Sequence, residues 1–439
     1  MHPFMKAKFS IPLGFVGVIF AGALLFMLPV SGGLRFWDAL FMACSAVCIT
    51  GLSVIDPGTA LTLFGQSVLM VLVQIGCVGI MTFGTFILVL AGQRFSLAHE
   101  FSLSNAYGVK GVKGFRGLVL WVVFSMLTVE GIGAWCLNAD LQSPYKAWFY
   151  SVMAFCNAGF TIDRGGLAAF ADKPAFLLKM ASLIVIGGLG FMVLYNVCTI
   201  KFWRRSLIKQ GRLSLHTRVV VWTTVAFIIG SFAILLAFEW GNSLTSIDGL
   251  WRKLSVAFFH AVTPRTSGFQ VVSLESMHPV SRLFSELLMF IGAAPGSAGG
   301  GIKITTFVLF LFTVHSYCRR RREVVLSKRT IPPETIREAL IITFSFLLFI
   351  ALTAAALLVT ENGRPGYDFE KLLFEAVSAV TTTGLAFENV TETLSMTGRV
   401  VVMLAMFVGR MGALTVVFMI VGDEEPETVR YPKEDVLVG

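Results

Sequence analysis

Residues 371–384 read KLLFEAVSAVTTTG, a mostly apolar run closed by a glycine. Three other stretches share that form: DALFMACSAVCITG (38–51), KAWFYSVMAFCNAG (146–159) and KLSVAFFHAVTPRTSG (253–268). None can cross a bilayer as a helix, because spanning ~30 Å of hydrocarbon takes about 20 apolar residues. The closing glycines Gly51, Gly159, Gly268 and Gly384 are 108, 109 and 116 residues apart, a repeat near 110 residues. A second landmark keeps step: in QIGCVGIMT, VIGGLGFMV, FIGAAPGSAGG and FVGRMGALT, the glycines Gly76, Gly187, Gly292 and Gly409 follow by 25, 28, 24 and 25 residues. The fold expected is an all-α polytopic membrane protein. Four repeats of helix, re-entrant pore loop and helix would surround a pseudo-fourfold central pore, with eight spanning helices and four half-helices. The repeats cover 11–93, 117–200, 217–317 (its second helix broken) and 337–421, and a cytoplasmic tail follows at 422–439.

Composition agrees. Of 439 residues, 56% are hydrophobic and only 14% charged, with mean hydropathy +0.79; soluble domains run nearer ~25% charged. Long apolar runs at 11–30, 65–92, 176–200, 217–240, 337–360 and 397–421 exclude a β-barrel, whose strands alternate. The net charge of +9 does not mark a nucleic-acid binder, because more than half of the 35 basic residues sit in five connecting or terminal segments. These are Lys6 and Lys8, the segments 94–116, 201–218 (no acid) and 318–337 (with Arg319 to Arg322 in a row), and Arg430 with Lys433. The positive-inside rule puts them, and both termini, in the cytoplasm of a multi-pass protein of the cell membrane. The acid-rich segments between them then lie outside. The first apolar run has no signal-peptide cleavage site and is expected to stay as a helix. Seven scattered cysteines have no metal-ligand spacing and read as small buried hydrophobes.

Backbone that leaves helical form inside a bilayer is tolerated only where protein buries it or water runs beside it. Four such segments around one axis can offer a ring of carbonyl oxygens that replaces a cation's hydration shell. The half-helices would aim their partly negative C-terminal ends inward, favouring a cation. The residues in the loops are Ile49, Thr50 and Gly51; Asn157, Ala158 and Gly159; Thr266, Ser267 and Gly268; and Thr382, Thr383 and Gly384. None is charged, so the field comes from carbonyl dipoles and suits a weakly hydrated monovalent ion.

The segments VCITGL (47–52), CNAGF (156–160), PRTSGF (264–269), VTTTGL (380–385), PGSAGGGIKITT (295–306) and GRMGALT (409–415) resemble the Trk/Ktr/HKT superfamily of cation transporters, most of all its Ktr-type membrane subunits. The resemblance runs from about residue 10 to 421. It implies a homodimer selective for potassium, with sodium as a further ion to consider, in a potassium uptake system with a cytosolic KtrA-like ring that binds nucleotide. Glycine at all four closing positions resembles the potassium-preferring branch. The resemblance also makes Gly296, Ser297, Gly299, Gly300, Gly301 and Lys303 an intramembrane gating loop, and Arg410 a positive charge below the filter that moves with it. The loop departs from the family in reading SAGGGIKI, where a threonine and more serines are expected.

Other residues carry two readings each. Arg410, deep in the last helix, could instead pair with Glu375 or a loop carbonyl, since an unpartnered arginine there is costly. Lys303 has a stem long enough to reach the cytoplasmic interface. Arg265 is expected to brace the third loop, and His260 to be packed or hydrogen-bonded. Glu130 and Glu286 read as a proton relay or as interface anchors, and Asp56 as an outer cation attractor or the turn before Pro57. No catalytic dyad or metal cluster is in register, so an enzyme is not expected. GGLG at 187–190 follows no strand and is not a nucleotide-binding turn. The rival function is a secondary cation transporter with alternating access, a class that also uses broken helices.

Overall fold

The computed structural model describes residues 3–79, 112–199, 214–321, 323–327 and 329–412. Of the cytoplasmic segments expected at 94–116 and 201–218, residues 94–111 and 201–213 lie outside them, as do Arg322, Lys328 and the tail 422–439.

Among the described residues the order helix, half-helix, helix recurs four times. The first set is α1 (Pro3–Met27), α2 (Phe36–Cys48) and α3 (Leu63–Val78). The second is α4 (Val112–Leu141), α5 (Pro144–Phe155) and α6 (Pro174–Gly188), followed by a short α7 (Phe191–Thr199). Then come α8 (Leu215–Glu239), α9 (Leu250–Val262), α10 (Pro279–Ile291) and α11 (Ile304–Cys318). After a two-stranded hairpin, Val325–Leu326 against Arg329–Thr330, the chain ends its described course in α12 (Pro333–Thr360), α13 (Phe369–Val380) and α14 (Met396–Met411). Local chemistry sets several starts. Proline opens α5, α6, α10 and α12, where its missing N–H costs nothing. Thr62, Ser214 and Ser395 accept from backbone amides three residues on and cap α3, α8 and α14.

Among the described residues three helices, Val119–Leu141, Leu215–Glu239 and Pro333–Thr360, are long and apolar enough to cross a membrane. They expose large apolar side chains, among them Phe124, Trp135, Trp222 and Phe344, as a surface meeting lipid does. The half-helices are the opposite: Phe41, Phe149, Phe259 and Phe374 are fully buried. Each is packed by the helix before it and by the second helix of another quarter, and the first, second and fourth also by the second helix of their own. That enclosure is cyclic, with α3 packing on α5, α6 on α9, α10 on α13, and α14 back on α2.

The runs 65–92, 176–200 and 397–421 are not the unbroken helices expected from their hydropathy. Each stops at a glycine with left-handed φ: Gly79 (82°), Gly190 (85°) and Gly412 (84°). Helices end readily there, since glycine alone takes that conformation without strain. In the second quarter the chain resumes as α7, bent 95° from α6, so GGLG is a break and not helix interior. Residues 80–92 and 413–421 lie outside the described part. In all three the break falls three residues after Gly76, Gly187 or Gly409. Those glycines are sites of close approach, where a Cβ would strike the carbonyl of Val47, Phe155 or Val380 at the end of a half-helix. In the third quarter the counterpart Gly292 ends α10 itself and lies against the carbonyls of Gly300 and Ile302.

Candidate ion pathway

Each half-helix ends in the same short turn. The residue two before the closing glycine is left-handed in all four: Ile49 (φ 57°), Asn157 (56°), Thr266 (81°) and Thr382 (50°). The glycines are left-handed too: Gly51 (88°), Gly159 (66°), Gly268 (73°) and Gly384 (89°). For β-branched isoleucine and threonine this backbone is an outlier, costing about 1–3 kcal/mol each, and such strain concentrates at functional sites. Nothing in the propensity of Ile49 or Thr266 asks for it; the surroundings impose it.

The four loops close on one another. A side chain on Gly51 would collide with the carbonyl of Ala158, one on Gly159 with that of Ser267, one on Gly268 with that of Thr383, and one on Gly384 with that of Thr50. The contacts run first to second to third to fourth and back to the first. Twelve residues singled out from the sequence, 49–51, 157–159, 266–268 and 382–384, are therefore brought into one ring. The hydroxyls of Thr50, Thr266 and Thr382 are buried there without a hydrogen-bond partner among the described residues. Above the ring lies a cavity of about 520 Å³ lined by all four glycines together with Gln270, Glu388 and Glu392. Carboxylates at such a mouth raise the local concentration of cations. Ion pairs tie the periphery: Asp172 to Arg252 (3.0 Å), Glu370 to Arg282 (3.1 Å), Glu275 to Lys371 (3.2 Å) and Asp38 to Arg399 (2.8 Å).

Beneath the ring, residues 292–303 cross as irregular chain. Gly299 and Gly300 lie directly against the Thr266 and Thr382 hydroxyls, with no room for a side chain. The segment is anchored on several sides. Ala294 N donates to the Gly188 carbonyl (3.1 Å), and Phe191 N to that of Gly296 (3.0 Å), so the break in the second quarter grips this loop. Ser297 Oγ donates to Ala294 O (2.6 Å). Arg410 Nη1 donates to Ala298 O (2.6 Å) and its Nη2 to the carbonyl of Gly76. One guanidinium thus bridges the loop to α3. A second cavity, about 400 Å³, opens here between Cys77, Gly296, Gly299, Gly300, Lys303 and Arg410.

The TrkH family, described as a cation transport protein, matches residues 14–426. The chain belongs to that family. It is 35% identical to the Ktr system potassium uptake protein B of Bacillus subtilis (strain 168), over 97% of this chain and 95% of that one. The potassium/sodium uptake protein NtpJ of Enterococcus hirae is 30% identical, over 97% and 95% respectively. Among solved structures, the potassium transporter TrkH from Vibrio parahaemolyticus superposes with TM-score 0.75 at 18% identity, covering 95% of this chain and 85% of its own. This TrkH-family chain is accordingly a multi-pass, mostly helical membrane protein with the fold of that transporter.

The individual residues that carried two readings resolve as follows. Arg410 meets loop and helix carbonyls and not Glu375, whose carboxyl accepts from Thr391 Oγ1 (2.7 Å). Lys303 does not extend to the interface: Nζ donates back to Gly299 O (2.6 Å), shortening the loop. Glu130 is no interface anchor, being fully buried and accepting from Gln74 Nε2 of α3 (2.7 Å). Asp56 caps a single turn, accepting from Gly58 N (3.0 Å) and Thr59 Oγ1 (3.1 Å). Arg265 points away from the ring toward Thr224 of α8 (3.5 Å), as a brace would. The breaks at Gly79, Gly190 and Gly412 were missed, although the spacing GCVG, GGLG and GRMG spells them out.

Proposed function

We propose that this TrkH-family chain is the membrane subunit of a potassium uptake system. The cyclic closure of four left-handed loops carries the reading. Each loop presents carbonyls and no side-chain charge, which favours an ion that sheds its water easily. Potassium fits, and the potassium uptake named for its relatives in Bacillus subtilis and Vibrio alginolyticus supports it. The potassium/sodium name of the Enterococcus hirae relative makes sodium the second ion to assay.

In this reading the chain forms four repeats, 11–93, 117–200, 217–317 and 337–421, with eight crossings and both termini in the cytoplasm. Residues 49–51, 157–159, 266–268 and 382–384 are the selectivity filter. Gly296, Ser297, Gly299, Gly300, Gly301 and Lys303, latched by Arg410, are the gate. The membrane potential supplies the driving force, ~2.3 kcal/mol per charge per 100 mV. The Ktr system named for two relatives supports a multi-component assembly. Its parts would be a homodimer of this chain and a cytosolic ring that binds nucleotide and presses on the connections and tail.

Rescue of potassium-limited growth in cells lacking other uptake systems tests this, with and without a cytosolic partner. Wild type is expected to rescue, Gly268→Ser to lower potassium preference, and deletion of 296–301 to give flux that no longer needs the partner. Proton-coupled transport of another solute, with no potassium flux under any condition, would replace the pore by the alternating-access transporter.

A further inference from the structure

The half-helices share one more feature that their sequences conceal. Immediately after each fully buried phenylalanine (Phe41, Phe149, Phe259, Phe374) stands a residue that is itself buried: Met42, Tyr150, His260 or Glu375. It lies nine residues before the closing glycine in three quarters and eight before it in the third. The four side chains have nothing in common chemically, yet each reaches over the loop to the chain that returns from the glycine.

Ser53 Oγ lies 3.2 Å from Met42 Sδ and shares its single proton between that sulfur and the Ile55 carbonyl. The Tyr150 hydroxyl oxygen accepts from Ile162 N (3.4 Å) and Asp163 N (3.2 Å) and donates to Asp163 Oδ2 (2.8 Å). His260 Nε2 accepts from Val271 N (3.3 Å) and Val272 N (3.0 Å). Thr391 Oγ1 donates to Glu375 Oε1 (2.7 Å). Partners lie two to four residues past the glycine in the first three quarters and seven past it in the fourth.

Resting on the filter reading above, we propose that Met42, Tyr150, His260 and Glu375 form one set of positioning residues that hold the four filter loops at the radius which discriminates between monovalent cations. The physical case is direct. A loop of left-handed residues is under strain and relaxes unless both ends are fixed. One end continues the half-helix. The other is held by this tie together with bonds such as Thr263 Oγ1 to Phe269 O (2.8 Å), Gln270 Nε2 to Ala386 O (2.7 Å) and Lys146 to Asp163. Discrimination by carbonyls depends on their number and separation, so a loop that springs outward would still pass ions while telling them apart less well.

The ties differ in strength. A thioether is a weak acceptor, whereas Tyr150 and His260 each receive two backbone amides, which no other residue of those loops supplies. The second and third loops are therefore held most firmly and the first least. The order of sensitivity is His260 and Tyr150, then Glu375, then Met42.

The test measures potassium and sodium uptake by the full-length chain with its cytosolic partner in cells lacking other uptake systems, normalised to membrane-inserted protein. His260→Leu removes both hydrogen bonds at similar volume, and the potassium-to-sodium ratio is expected to fall about tenfold, with sodium uptake per molecule retained. His260→Gln, which returns an acceptor, is expected to recover most of the ratio, and Met42→Leu to leave it almost unchanged. Tyr150→Phe keeps the ring and loses the ties, so it decides the matter by the same ratio if His260→Leu fails to reach the membrane. If both variants lower total flux at an unchanged ratio, the ties are only structural and the proposal falls. Gly268→Ser separates the two levels. If it lowers the ratio while His260→Leu and Tyr150→Phe do not, the filter stands and the positioning set does not. If wild type shows no preference at all, both fall.

Discussion

The ring of loops and the tier beneath it are built by opposite rules. In the ring, four unlike sequences, CIT, CNA, RTS and TTT before the glycine, adopt one backbone. The same position is left-handed in each, and each glycine abuts its neighbour's carbonyl. Below, like sequences diverge. Gly76, Gly187 and Gly409 sit against half-helix carbonyls, but Gly292 has let go of its half-helix and sends twelve residues across the axis. Uniform geometry suits a task in which every wall contributes equally, such as ordering carbonyls around an ion. A single deviant quarter suits an obstruction, since one crossing strand is enough to close an opening and one is enough to reopen it.

The largest blow to the ring is Gly384→Ala. Its Cβ meets the Thr50 carbonyl at φ 89°, a strain of about 3 kcal/mol, and potassium uptake is expected to drop about 100-fold. Uptake within a few-fold of wild type in a flux assay would mean the loops do not close on each other. Next comes Arg410→Ala, which removes the guanidinium bridge from the loop to α3 while leaving the ring intact. Partner-independent flux is expected to rise about tenfold with ion preference unchanged; a change in preference would erase the division between the tiers. Smallest is Asp38→Asn, which weakens the partly exposed pair with Arg399. It is expected to cost about 1 kcal/mol or less and to lower the thermal midpoint by about 2 °C, with transport unaffected.

Much of this was legible in the sequence, and for a physical reason. Glycines that must accept a carbonyl against their Cα cannot drift, so both landmark sets stand out at fixed spacing. Helix breaks at Gly79, Gly190 and Gly412 were in the same letters, but hydropathy does not change across them, and an apolar run reads as one helix whether or not it bends. The ties made by Met42, Tyr150, His260 and Glu375 were illegible for a different reason. At that register the four quarters share a reach and not a residue type, so no common letter marks it. Of Arg410's partners, the loop carbonyl was legible because a buried guanidinium needs acceptors, whereas the Gly76 carbonyl of α3 left no trace in side-chain chemistry.

Three contacts described above join the first quarter to the last: Asp38 with Arg399, Thr50 with Gly384, and Gly76 with Arg410. They are separated by more than 330 residues. A ribosome therefore delivers the first loop long before it delivers the wall against which that loop rests. Until then Ile49 has no reason to stay left-handed, and contacts this distant along the chain form slowly. The opening made first in synthesis is completed last, so a chain halted before residue 384 would hold three loops around a gap and no ring.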